Sequence, residues 1–224
     1  MKIAFYIFET IVLLILAVIN ALVLYGLVHH ICFTNDAGTV MAKLSLYKWA
    51  ALGASVYTIL HIFIHKNIKW LETFSHEMTH VVVSLLFLRD IRAMNVRSEG
   101  GGEAITAGKA FASAPISLAP YCLPLFTYIL LFLRPLISEE PTPMMIFDTL
   151  IGLSIGFHAH CFASQTRPYQ TDITRYGIFS VFYILTFLLF NANTIIVSFW
   201  QHQNVFTAFW YVIKQNFTTF LSFL

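Results

Sequence analysis

Charge is what this chain has least of. Asp, Glu, Lys and Arg make up 11% of its 224 residues, where a soluble domain of this length carries about twice that share. No basic run occurs and the formal net charge is only +2, so nothing in the sequence suggests a nucleic-acid partner. Cysteine is almost as scarce. Cys32, Cys122 and Cys161 stand apart, with no CxxC pair, which speaks for free, packed thiols rather than thiolate ligands or disulfides. No internal repeat is visible.

What is there instead is apolar mass. Hydrophobic residues are 58% of the chain and aromatics 16%, more than one soluble core can bury, and a lipid bilayer is the economical partner for the excess. Residues 3–31 form a long apolar run, too long for the h-region of a signal peptide, and are expected to be a retained span. Glu9 and Asn20 interrupt it, as polar groups facing a bundle interior do. Further spans are expected at 49–65, 69–88, 111–133, 144–164 and 177–199, with 204–224 either a last span or an interfacial helix. Pro115, Pro120 and Pro124 predict a kinked or broken helix in 111–133. Trp49, Trp70, Trp200 and Trp210 fall near segment ends, as an aromatic belt requires. Between 89 and 110 the charges cluster around Gly100-Gly101-Gly102, the signature of a hairpin or loop at the membrane face. The expected fold is therefore an all-α polytopic membrane protein. It has about six transmembrane helices in one membrane-embedded domain (residues 1–224), with a small Gly-rich hairpin or loop after the third apolar segment.

That segment, "WLETFSHEMTHVVVSLLFL", contains His76-Glu77-Met78-Thr79-His80, an H-E-x-x-H pattern. On a helix, residues four apart share one face about 6 Å apart along the axis, so His76 and His80 can chelate one ion. Imidazole nitrogen suits Zn²⁺. Glu77, one residue on, is placed to take a proton from an attacking water and return it to a leaving amine. Zinc lowers the pKa of such a water to about 7. Ionisable groups in an apolar helix are costly without a purpose and mark functional sites by default.

Two histidines leave the ligand set short of the three protein ligands a catalytic zinc site needs. No third His follows in the metzincin manner, since the residues after His80 are "VVVSLLFLRD". Asp148, His158, His160 and Asp172 remain as candidates further along, while Glu99 and Glu103 suit a solvated loop. His61 and His65 form another i, i+4 pair, but no acid sits between them in the motif arrangement. They read as polar residues at a helix end, or as a second metal site. His158 and His160, two residues apart, make a poor chelating pair on a helix.

The H-E-x-x-H on an apolar helix, the following "SEGGGEA", the small and Pro-rich "ASAPISLAPYCLP" and a later isolated Asp together resemble the site-2 protease family of intramembrane zinc proteases. The likeness is closest to the compact bacterial branch and covers roughly residues 66–180. It implies that His76 and His80 are zinc ligands and Glu77 the base. Asp172, in "YQTDITRYG", resembles the later Asp of the compact branch. Asp148, which follows a Pro-x-Pro as in the better-known branch and lies early in its span, is the alternative; the Asp-Gly of the better-known members is absent. The implied activity is hydrolysis of peptide bonds in membrane-embedded or membrane-adjacent substrates, in a bacterial cytoplasmic membrane. Gly100, Gly101 and Gly102, with the strand-like residues 91–96, are candidates to bind an extended substrate as an added strand. Two rivals follow from the residues: a non-catalytic membrane scaffold or transporter retaining a metal, for which Glu77 has no use, and a protease whose third ligand is Glu99 or Glu103.

Overall fold

A computed structural model describes residues 2–33, 37–97, 101–107, 113–200 and 204–223. The chain runs as α1 (Lys2–Cys32), α2 (Ala37–Ser45), α3 (Lys48–Ile64), α4 (Lys69–Leu86), β1 (Asp90–Val96), β2 (Gly102–Ala107), α5 (Ser113–Leu118), α6 (Leu125–Leu133), α7 (Pro141–Gln165), α8 (Thr171–Thr174), α9 (Ile178–Trp200) and α10 (Val205–Leu221). Short 3₁₀ turns at Ala119–Tyr121 and Arg134–Leu136 flank α6. The three cysteines are free.

The expectation of a mostly helical fold with several apolar spans holds, while a count of about six is not reached by helix length and composition. Among the described residues, Phe5–Cys32, Pro141–Gln165 and Ile178–Trp200 are long and apolar enough to cross a membrane. A fourth exists if α5 and α6, bent by 84° at their break, count as one broken span. Length and polarity explain the difference. The α3 and α10 helices have 17 residues each, which is about 25 Å of helix against a hydrocarbon core of about 30 Å. The first half of α4 is polar, and its Ser75, Glu77, Thr79 and Ser84 are buried against protein.

Two helix pairs organise the bundle. Where α3 crosses α7, a Cβ on Gly53 would collide with the Thr149 carbonyl, and one on Gly152 with the Ala50 carbonyl. Only hydrogen side chains allow backbones this close, the small-residue packing used when lipid supplies no hydrophobic drive. Polar ties join α1 to α9. Thr186 donates to the Leu13 carbonyl at 2.9 Å, Asn193 to the Asn20 carbonyl at 3.0 Å, and Asn216 of α10 to Asn20 Oδ1 at 3.0 Å. Asn20 is 2% exposed, so this polar interruption does face the bundle interior.

The Pro-rich segment breaks as its composition predicts. The peptide N–H of Phe126, near the start of α6, donates to His158 Nε2 on α7 at 3.1 Å. The expected Gly-rich hairpin is also present. β1 and β2 pair antiparallel from Asp90↔Ala107 to Val96↔Gly102, with an irregularity between Ile91 and Ala93. At the turn Gly101 takes φ +94°, a left-handed conformation that glycine adopts without penalty. The hairpin follows α4 directly. Arg89 N–H donates to the Ser84 carbonyl and Leu88 N–H to the Leu85 carbonyl, both at 2.9 Å. This closes the helix with a Schellman motif in which Leu88, at φ +54°, occupies the usual glycine position.

Candidate metal centre

The H-E-x-x-H lies in the middle of α4, whose helical pitch sets His76 beneath His80. Their rings meet edge to face with centroids 4.9 Å apart. Asp172 arrives from α8, the short turn after α7, and its Oδ2 lies 3.6 Å from His80 Nε2. One donor atom from each of His76, His80 and Asp172 falls within 4.8 Å of the others, the one such group of three among the described residues.

Hydrogen bonds orient both rings. His76 Nδ1 lies 2.9 Å from Gln165 Oε1, and His80 Nδ1 lies 2.8 Å from the Ile116 carbonyl. Gln165 Nε2 donates to the Glu72 carbonyl at 3.2 Å, which fixes which amide atom is the oxygen. Both acceptors are oxygens, so each imidazole carries its proton on Nδ1 and turns the lone pair of Nε2 toward the group, the tautomer a metal ligand needs. Tyr121 donates its hydroxyl to Asp172 Oδ2 at 3.4 Å, and its ring edge rests on His76 at 5.2 Å. Burial works against charge on Asp172. His80, by hydrogen bond and charge, with His76 and Tyr121 behind it, outweighs that effect and holds the carboxyl below the usual carboxylate range. Two neutral imidazoles and one carboxylate are a donor set that fits Zn²⁺ with one position left open.

The three residues border a cleft of about 550 Å³ shared with Glu77, β2 and Arg175. Glu77 is 7% exposed, and the Ala104 backbone N–H of β2 faces its carboxylate. Gly102 makes this proximity possible: a Cβ there would stand 2.7 Å from Glu77 Cγ and 2.9 Å from Thr73 Cγ2.

The other sequence candidates are elsewhere. Asp148 sits near the start of α7, about 25 Å of helix away from Gln165, and is held by Arg134 in a buried two-pronged pair at 2.8 and 3.2 Å. His158 accepts the Phe126 N–H, and His160 stacks on His61. Glu103 borders the cleft from β2 without joining the group of three. Gly100 and Glu99 lie outside the described residues. Gly101 forms the turn with open space around it, and Gly102 borders the cleft. Gln165, Tyr121 and the Ile116 carbonyl went unnoticed in the sequence. They carry no local pattern and reach the motif from 89, 45 and 36 residues away, Tyr121 through its ring contact with His76 and the other two by direct hydrogen bonds.

A family model described as Peptidase M50B-like matches residues 48–159. The chain belongs to the Peptidase M50B-like family. The matched stretch holds the H-E-x-x-H, the hairpin and most of α7, in agreement with the site-2 protease resemblance. Asp172 lies 13 residues beyond its end. No curated protein and no solved structure matches the chain.

Proposed function

We propose that this M50B-like protein is a zinc-dependent intramembrane endopeptidase of the H-E-x-x-H type. Its substrates are peptide bonds of membrane-embedded or membrane-adjacent proteins, and its setting is a bilayer, with a bacterial cytoplasmic membrane the expected one. One observation carries the reading: the His76 and His80 Nε2 atoms and the Asp172 carboxylate converge from separate elements on a cleft that also holds Glu77.

His76, His80 and Asp172 would hold the zinc. When bound, zinc supplies Lewis acidity, which makes a water easier to deprotonate and polarises a peptide carbonyl. Glu77 takes the proton of the attacking water and delivers it to the nitrogen of the departing amine. The Ala104 N–H beside its carboxylate restrains it for both transfers. Gln165 and the Ile116 carbonyl keep the two imidazoles in one tautomer and one orientation. A transmembrane substrate must unwind locally before its peptide bonds are open to attack. Each strand of a two-stranded sheet has one unpaired edge, and β2 borders the cleft, so an extended substrate segment would add alongside β2. A scaffold or transporter that merely kept the metal would need no carboxylic acid at Glu77.

The test is zinc content and cleavage of a reconstituted transmembrane substrate, measured side by side. Wild type should hold the cleft zinc and cut. His80→Ala and Asp172→Ala should lose both properties, and Glu77→Gln should keep zinc and lose cleavage. A Glu77→Gln variant that still cuts at the wild-type rate would remove the proposal.

A further inference from the structure

Outside the cleft, three helices bring a second set of metal-ligating side chains together. His61, near the end of α3, has its Nδ1 4.0 Å from Glu72 Oε1 at the start of α4. The imidazole of His160 on α7 stacks on that of His61, with centroids 4.1 Å apart and planes 21° from parallel. His65, one turn past His61, is the next ring, at 6.2 Å. The Tyr57 hydroxyl lies 3.4 Å from His61 Nδ1. The Glu72 backbone carbonyl, which accepts from Gln165, links this group to the hydrolytic arrangement.

Packing alone gives little reason for this grouping. An apolar ring pair would fill the same half-buried space without setting ring nitrogens beside a carboxylate. Two imidazoles and a carboxylate from separate elements are instead the donor set of a borderline transition-metal ion. The backbones that carry them are already tied, since Gln165 of α7 donates to the Glu72 carbonyl.

We propose that His61, His160 and Glu72 form a second site for a divalent transition metal, distinct from the cleft, with His65 as the nearest additional donor. In the parallel stack the ring lone pairs do not yet converge. Loading turns the His160 ring out of the stack about its own side-chain bonds, and the ion replaces the ring–ring contact. The α3, α4 and α7 backbones stay in place.

The experiment is Zn²⁺ uptake by the full-length protein in detergent, by equilibrium dialysis to saturation followed by metal analysis. Wild type should take up two ions. His61→Gln and His160→Gln should each take up one, as should His80→Ala, and His80→Ala combined with His160→Gln should take up none. The ion retained by His160→Gln shows that this variant is folded. In the His80→Ala background, one equivalent of Co²⁺ should give visible d–d absorption that His160→Gln abolishes. Saturation of wild type at a single ion that His80→Ala removes would overturn the proposal. So would two ions whose number is unchanged by His61→Gln and His160→Gln. A single ion that survives His80→Ala and vanishes in His160→Gln would support this second site while removing the zinc assignment of the cleft.

Discussion

Gln165, the last residue of α7, accepts the Nδ1 proton of His76 at 2.9 Å and donates to the Glu72 carbonyl one turn earlier on the same helix. One amide therefore sets both the tautomer of the motif's first histidine and the height at which α7 meets α4. Gln165→Ala should weaken zinc binding by roughly 10–100-fold, the usual effect of losing a partner behind a ligand. Gln165→Glu, which keeps an acceptor, should recover most of it. Competition with a chromogenic chelator reads the affinity directly, and equal affinities in wild type and Gln165→Ala would show that the contact does not tune the site.

The two aspartates weighed for the ligand set should part company when each is changed to Asn. Asp172→Asn should lose zinc with little effect on thermal stability. Asp148→Asn should retain zinc but destabilise the fold by about 3–5 kcal/mol, because it leaves the buried Arg134 charge without its partner. Metal content and the melting temperature of the same two preparations decide the matter. Zinc loss in Asp148→Asn at temperatures where it is folded would reverse the assignment.

Gly102 lets β2 lie against Glu77. In Gly102→Ala the added methyl, 2.7 Å from Glu77 Cγ, must push the side chain or the strand aside. Cleavage should fall at least tenfold while zinc stoichiometry stays at the wild-type value, because the three atoms nearest the new methyl belong to Glu77, Thr73 and Asn95. Kinetics and metal analysis on one sample test this, and unimpaired cleavage would show that the contact relaxes freely.

Leu88 closes α4 in a left-handed conformation at φ +54° with its side chain 94% exposed. A side chain there costs about 1–2 kcal/mol in backbone strain, part of which glycine gives back through its looser unfolded state. Leu88→Gly should stabilise the protein by roughly 1 kcal/mol. Thermal unfolding in detergent measures the change, and a lower melting temperature would mean that the exposed leucine is held by something it packs on.

Much of this protein is written locally. Apolar run length alone marks α1, α7 and α9 as possible spans, because a helix of fixed rise needs a fixed number of apolar residues to cross hydrocarbon. The prolines announce the break between α5 and α6, and the glycines after residue 99 announce a tight turn between two strands. The spacing of His76, Glu77 and His80 follows from helical pitch, which is why one turn of sequence already brings these three side chains to one face of α4. Counting spans is less secure from sequence. Polar residues buried against protein, as on α4, and an apolar helix of only 17 residues, as α3 is, both fall inside apolar runs when only composition is known.

The partners of that helix belong to the tertiary structure. Asp148 and Asp172 are both isolated acids after the motif, and only the family resemblance, not pitch or spacing, ranks Asp172 ahead of Asp148. The bundle does so by setting Asp148 against Arg134, with Asp172 carried on the turn that follows α7 to within 3.6 Å of His80. The glycine contacts of α3 on α7, the amide of Gln165 behind His76 and the His61–His160 stack are likewise absent from any local pattern. A hydrogen bond or a close approach between residues tens of positions apart depends on how whole helices pack, and that is a property of the folded bundle rather than of any single segment.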